Sequence, residues 1–191
     1  MKGNELWRTF CAIELPAVIR SQIQKHIESL CLTVPQAQPS WSRADNIHLT
    51  MKFFGNVERK RVPVISEALS QAVNGLQQFE IAIAGAGAFP QFGQPRVLWI
   101  GVNDTNKHLI ELHSRIDEEC SKKGFEKETR DFRPHLTIAR MRKPAGTRTL
   151  AEVNQRLGFE SLSLLVSELV LFRSELSSEG SRYTVISRHS F

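Results

Sequence analysis

The chain has no C-x-x-C pair, and its three cysteines, Cys11, Cys31 and Cys120, stand far apart in apolar surroundings. A structural zinc site therefore has no support, and the cysteines read as reduced packing residues of a cytosolic protein. No P-loop and no G-x-S-x-G elbow occur, and "GAGAF" at residues 85–89 lacks the further glycine and helix that a nucleotide loop needs. The six histidines never fall at H-x-H or H-x-x-x-H spacing beside clustered carboxylates, which disfavours dinuclear metal chemistry. Long hydrophobic runs are missing too. No window approaches the length of a membrane span, and "MKGNELWRTF" lacks the apolar stretch of a signal peptide, so the chain is expected to stay in the cytoplasm.

What is present suits a folded protein. The 191 residues are 41% hydrophobic and 24% charged, enough for one sizeable core or two small lobes sharing one. A formal charge of +5 favours an anionic partner such as nucleic acid or a nucleotide, without identifying one.

Periodicity predicts a strand over Trp7–Leu15 and a helix opening at Pro16 with Ile19, Ile23, Ile27 and Leu30 on its apolar face. A strand over Ile47–Phe54 and a helix over Val62–Leu76 follow, then two strands, "FEIAIAGAGAF" and "PRVLWIGV", joined by a Pro/Gly-rich turn. Asp104 caps a third helix with Leu109, Leu112, Ile116 and Cys120 inward and Gly124 at its end. A strand over Pro134–Arg140, a helix over Leu150–Leu157 and strands "LVSELVLFR" and "RYTVISRHS" complete the chain.

The triplet His-Leu-Thr occurs at His48–Thr50 and again at His135–Thr137, 87 residues on. Applied to the whole chain, that offset superimposes two helices on two helices and strands 79–86 and 95–102 on 166–173 and 182–189, leaving the first strand without a counterpart. The expected fold is α+β: residues 1–191 as a single bilobal, internally duplicated domain, with two antiparallel sheets lining a central groove and helices outside.

Side chains two apart on a strand share a face, so His48, Thr50 and Lys52 should point together, as should His135 and Thr137. One such triplet is an ordinary strand histidine beside a β-favouring threonine; two at equivalent places suggest a site. Facing histidines suit in-line displacement at phosphorus, one imidazole taking a proton from water and the other protonating the leaving oxygen. The threonines would donate hydrogen bonds to phosphoryl oxygens, and Arg140, Lys52 or Arg133 would supply a cation. Trp41, Phe54, Phe92 and Trp99 are candidates to stack a base, with core packing the competing role. His26 and His113 read as solvated helix residues, and His108 and His189 as histidines without a polar constellation.

The words "RTFCAIELP", "NIHLTMKFFGNV", "RVLWIGV", "RPHLTIAR" and "RYTV" together resemble the two-histidine (2H) phosphoesterase superfamily. Within it they resemble the LigT-like RNA 2′,3′-cyclic phosphodiesterases, first described as 2′-5′ RNA ligases. The resemblance implies hydrolysis of RNA ends or nucleotides bearing a 2′,3′-cyclic phosphate to a 2′-phosphomonoester, with no metal or other cofactor; no membrane partner is expected from the hydropathy, and a monomer is the default expectation. It further implies His48 as proton donor to the 3′ oxygen, His135 as proton acceptor from water, and Thr50, Thr137 and Arg140 as phosphate-binding residues. Two alternatives stand beside it: ligation in the reverse direction, or a non-catalytic RNA- or nucleotide-binding module.

Overall fold

The computed structural model describes residues 5–177 and 180–191, so the N-terminal reading of Met1–Asn4 lies outside the described residues. In chain order the elements are β1 (Leu6–Ile13), α1 (Ala17–Thr33), β2 (Ser40–Trp41), β3 (Leu49–Glu58), α2 (Val62–Val73), β4 (Phe79–Phe89) and β5 (Val97–Asn103). Then come α3 (His108–Lys122), β6 (His135–Arg140), α4 (Thr147–Leu157), β7 (Leu162–Val166), β8 (Glu168–Ser177) and β9 (Gly180–Ser190). The strand expected over residues 165–173 is broken at Ser167 into β7 and β8. The helices bury the apolar stripes that their sequences carry, Ile19, Ile23, Ile27 and Leu30 on α1 and Leu109, Leu112, Ile116 and Cys120 on α3. Asp104 accepts the Leu109 N–H at 2.6 Å, although the chain enters α3 through Lys107 in the left-handed region. Cys31, read as a packing residue, is exposed because it falls off the buried stripe of α1.

The class is α+β, with two antiparallel sheets of strand order β3-β1-β8-β9 and β2-β6-β5-β4-β7. On β1 and β8, Cys11, Ile13, Leu169 and Leu171 join the main core, whereas Phe10, Ala12, Val170 and Phe172 form a small separate cluster with Tyr183 on the opposite face. Among the described residues no helix is long and apolar enough to cross a membrane.

Three sequence expectations are corrected here. β1 does have a counterpart: Ile13 pairs with Leu49 as Ile100 pairs with Leu136, so β5, not β9, is its equivalent at the 87-residue offset. The halves do not keep separate sheets either. β4 hydrogen-bonds to β5 and β7, while β8 hydrogen-bonds to β1, so each half inserts a strand beside the other's central strand. Finally, the alternation that placed Lys52 beside His48 is broken. Cys11 pairs with Lys52 and Ala12 with Thr50, leaving Met51 as an extra residue. Leu98 likewise pairs with Ala139 and Trp99 with Thr137, leaving Ile138 extra. Each is a β-bulge that turns two successive residues, Met51 and Lys52 or Ile138 and Ala139, into the interior. The following residues, Phe53 and Arg140, return to the exposed side.

Two glycines on the β4–β5 hairpin allow the second bulge its surroundings. A Cβ at Gly87 would meet the Trp99 ring at 2.4 Å, and one at Gly101 would meet the Ala84 carbonyl oxygen at 2.5 Å. Because the obstacle at Gly101 is backbone, Gly101→Ala is expected to destabilise the protein by about 1–3 kcal/mol, read as a lower urea midpoint with unchanged slope. An unchanged midpoint would contradict this packing.

Candidate active site

The first motif begins one residue before its strand: His48 precedes β3, and Thr50 is the second residue of it. A short route brings this motif to the second one. β2 pairs alongside β6, with Ser40 opposite Arg140 and Trp41 opposite Ala139, and a 3-10 turn over Ala44–Asn46 then leads directly to His48. Ser42 fastens the crossing, since its N–H donates to the Ile138 carbonyl at 2.8 Å and its hydroxyl to the Thr137 carbonyl at 2.9 Å. Two backbone acceptors of the bulged segment of β6 are thereby satisfied. β3 is the edge strand of its sheet, and residues of β3 and β6 approach within 8 Å between Cα atoms.

The two histidines are anchored alike. The His135 Nδ1–H donates to the Arg133 carbonyl at 2.7 Å, and the carbonyl of Asn46 takes a hydrogen bond from the His48 ring. In both motifs the acceptor lies two residues upstream. A carbonyl accepts only, so Nδ1 of His135 carries the proton and Nε2 is free for chemistry. His48 stacks on Phe10 with ring centroids 4.6 Å apart and meets Tyr183 edge-on at 5.3 Å. His135 meets Phe89 edge-on at 5.1 Å. Burial pushes the His48 imidazole down to about 4. His135 is also lowered, by burial first and by the nearby Arg140 charge.

His48 lines a depression of about 410 Å³ with Arg20, Arg43, Asn46, Arg182 and Tyr183. His135 lines a larger one of about 710 Å³ with Thr50, Phe53, Phe89, Phe132 and Arg140. His48 and Thr50, two residues apart at the start of β3, line the first and the second depression respectively. Thr137 pairs across from Trp99 on β5, on the sheet that carries His135, but belongs to the lining of neither depression.

The other sequence candidates separate clearly. Lys52 is 7% exposed and bonds Asp117 and the Glu126 carbonyl, so its ammonium is not offered to a ligand. Arg133 contributes through its carbonyl and lines the larger depression. Trp41 and Phe54 pack against the main core and Phe92 is 83% exposed in the β4–β5 turn, while Trp99 lies over Gly87 beside Thr137. His113 is not a solvated helix residue: it stacks on Phe132 at 4.3 Å and reaches the His135 depression. His26 bonds the buried Asn154 side chain at 2.8 Å. His189, assigned no polar surroundings from sequence, is buried between the hydroxyls of Ser70 and Ser187, each at 2.9 Å. Missed altogether were Phe10, Phe172 and Tyr183 around His48. Among the quoted words, "RTFCAIELP" contains Phe10 and "RYTV" contains Tyr183, but neither pointed to a ring beside His48. Among the described residues, no group of three or more His, Cys, Asp or Glu could hold a metal ion.

Paired H-x-T strands on two antiparallel sheets, each closed by a bulge, define a two-histidine phosphoesterase architecture. The chain belongs to the 2′-5′ RNA ligase superfamily, whose family model matches residues 19–177. It is 35% identical over 178 residues to the RNA 2′,3′-cyclic phosphodiesterase of Methanothermobacter thermautotrophicus, covering 93% of this chain and 95% of that one. Identity to the RNA 2′,3′-cyclic phosphodiesterase of Escherichia coli K12 is 30% over 187 residues, 97% of each chain. The crystal structure of Escherichia coli LigT complexed with 3′-AMP superposes with a TM-score of 0.76 at 27% identity, over 98% of this chain and 99% of that one.

The lowered His48 value sets a stability test. Between about 4 and the ordinary 6.5 the unfolded chain holds a proton that the folded chain lacks, so this contribution is fully present above 6.5 and is lost as pH falls towards 4. Urea titrations should show stability declining over that window by at most about 1.4 kcal/mol per pH unit from this group, and His48→Gln should flatten the decline. An equal slope in the variant would contradict the buried, neutral ring.

Proposed function

We propose that the protein is a metal-independent RNA 2′,3′-cyclic phosphodiesterase that leaves a 2′-phosphomonoester, with His48 as general acid and His135 as general base. The observation that carries this reading is the matched placement of the two motifs: His48 to Thr50 and His135 to Thr137 stand at the starts of β3 and β6, neighbouring strands of different sheets, each followed directly by a bulge. It is supported by relatives named for this activity that span nearly the whole chain. In the step itself, Nε2 of His135 takes a proton from water as the water oxygen bonds to phosphorus. The bond from phosphorus to O3′ breaks on the opposite side, and protonated His48 delivers a proton to that oxygen. Proton exchange with solvent then returns both rings to their starting states.

The phosphorus belongs at the divide between the two depressions, where Thr50 stands. Thr50 and Thr137 would donate to non-bridging oxygens, and Arg140 would balance their charge. The ribose, bound through the leaving oxygen, then lies on the His48 side, where Arg20, Arg43, Arg182 and Tyr183 surround a space of nucleotide size. One domain built from two pseudo-symmetric halves follows naturally, because bulges 87 residues apart give both motifs the same local geometry. Arg140 and its equivalent, Phe53, then separate the two roles. An arginine beside His135 disfavours its protonated form, as a base requires, whereas aromatic rings enclose His48.

The acid must be protonated and the base neutral, and burial lowers both groups in the free protein. The pH profile of kcat/KM on a 2′,3′-cyclic-phosphate oligonucleotide should therefore be a bell centred on the acid side of 6.5. The kcat profile should lie at higher pH, because a bound phosphodiester anion stabilises imidazolium. Activity should persist in EDTA, with phosphorus retained on the 2′ oxygen. Loss of turnover in EDTA, or an optimum of kcat/KM well above pH 8, would overturn the mechanism.

One observation favours a second, coexisting direction. The depression beside His135 holds about 710 Å³, far beyond the roughly 30 Å³ of one water, and could admit an RNA 5′-hydroxyl. Ligation would then be the same proton transfers reversed, and 2′-5′-linked product at high concentrations of RNA ends would reveal it.

A further inference from the structure

Between α3 and β6 the chain runs through residues 123–134 without helix or strand, and this segment supplies much of the wall beside His135. Unstructured connections of that length inside a compact fold need something to hold them. Here the fastenings are specific. The Lys52 ammonium bonds the Asp117 carboxylate and donates to the Glu126 carbonyl at 2.8 Å. Both Asp117 oxygens also accept the Glu128 N–H, each at 3.2 Å. Further along, Phe132 lies flat on His113, with ring planes 15° apart. His113 and Asp117 are one helical turn apart on α3, so a single helix face grips the segment twice. The segment then delivers the Arg133 carbonyl that receives the His135 Nδ1–H.

Lys52 enters this arrangement from the first motif. It is two residues beyond Thr50, and the bulge at Met51 turns it inward to α3. A lone buried ammonium would be costly, whereas this one has a carboxylate and a carbonyl to satisfy it. One side chain thus ties the strand of the first H-x-T to the loop that orients the histidine of the second.

We propose that Lys52 and Asp117 are positioning residues for His135: by fixing the segment from Glu126 to Arg133 they hold the imidazole as the Nδ1–H tautomer, with Nε2 turned to the reacting centre. The proposal rests on the reading of His135 as the base. It does not, however, depend on turnover to be tested.

The test uses Lys52→Met, Asp117→Asn, the double variant Lys52→Met/Asp117→Leu and the conservative Lys52→Arg, each checked by thermal melting. The double variant removes both charges together and leaves no unpaired buried ion, so it keeps the test available if either single variant fails to fold. Imidazole ¹⁵N spectra should show His135 as one tautomer in the wild type and as a mixture in the folded charge-removing variants, with His48 unchanged. On a 2′,3′-cyclic-phosphate dinucleotide, kcat should fall about 10- to 100-fold with little change in KM, and the pH profile should shift. Lys52→Arg should recover part of kcat. A folded double variant with the wild-type His135 tautomer and pH profile would overturn the proposal. Absence of hydrolysis by the wild type would instead sink the catalytic reading, leaving the tautomer measurement to decide the positioning role.

Discussion

The site depends on a constraint in the backbone: one surplus residue directly after each H-x-T. In an unbroken strand, side chains five apart lie on opposite faces, so Arg140 would point away from His135. The extra residue at Ile138 reverses that parity and brings Arg140 back to the exposed side, as Met51 does for Phe53. The same inversion sends Lys52 inward, where it meets Asp117. Satisfaction of the bulged backbone by Ser42 makes the β2 crossing and the second bulge one unit. Bulges re-aim side chains next to functional sites, and here a single serine bonds two carbonyls of the bulged segment.

Burial and chemistry pull against each other at His48. Stacking on Phe10 and burial favour the neutral ring, while the role proposed for it needs a proton. A phosphodiester anion at the divide between the depressions would relieve that conflict, making protonation of His48 and binding of substrate mutually reinforcing. His135 faces the opposite demand, and its surroundings agree with it: burial and the Arg140 charge both hold the ring neutral.

Much of this was legible in the residues. The offset between His48 and His135 identified the two motif strands, and the apolar stripes of α1 and α3 fixed which helix faces are buried. What escaped had physical causes. Alternation cannot reveal a bulge, so Lys52 was placed on the wrong face. The equivalence of β1 and β5 shows only in their pairing partners, Leu49 and Leu136, because the intervening identities differ. The aromatic enclosure of His48 assembles from β1, β8 and β9, and the hydroxyl partner Ser70 of His189 lies 119 residues away in the chain. Local pattern carries no signal for such contacts.

The central claim is that the two imidazoles act on one phosphorus in one step, and the rates of His48→Ala, His135→Ala and the double variant on a 2′,3′-cyclic-phosphate oligonucleotide test it most directly. Groups acting as a unit are strongly non-additive: each single variant should lose nearly all turnover while keeping the fold, and the double variant should be scarcely slower than either. Substantial hydrolysis in either single variant, or losses that multiply in the double variant, would contradict it.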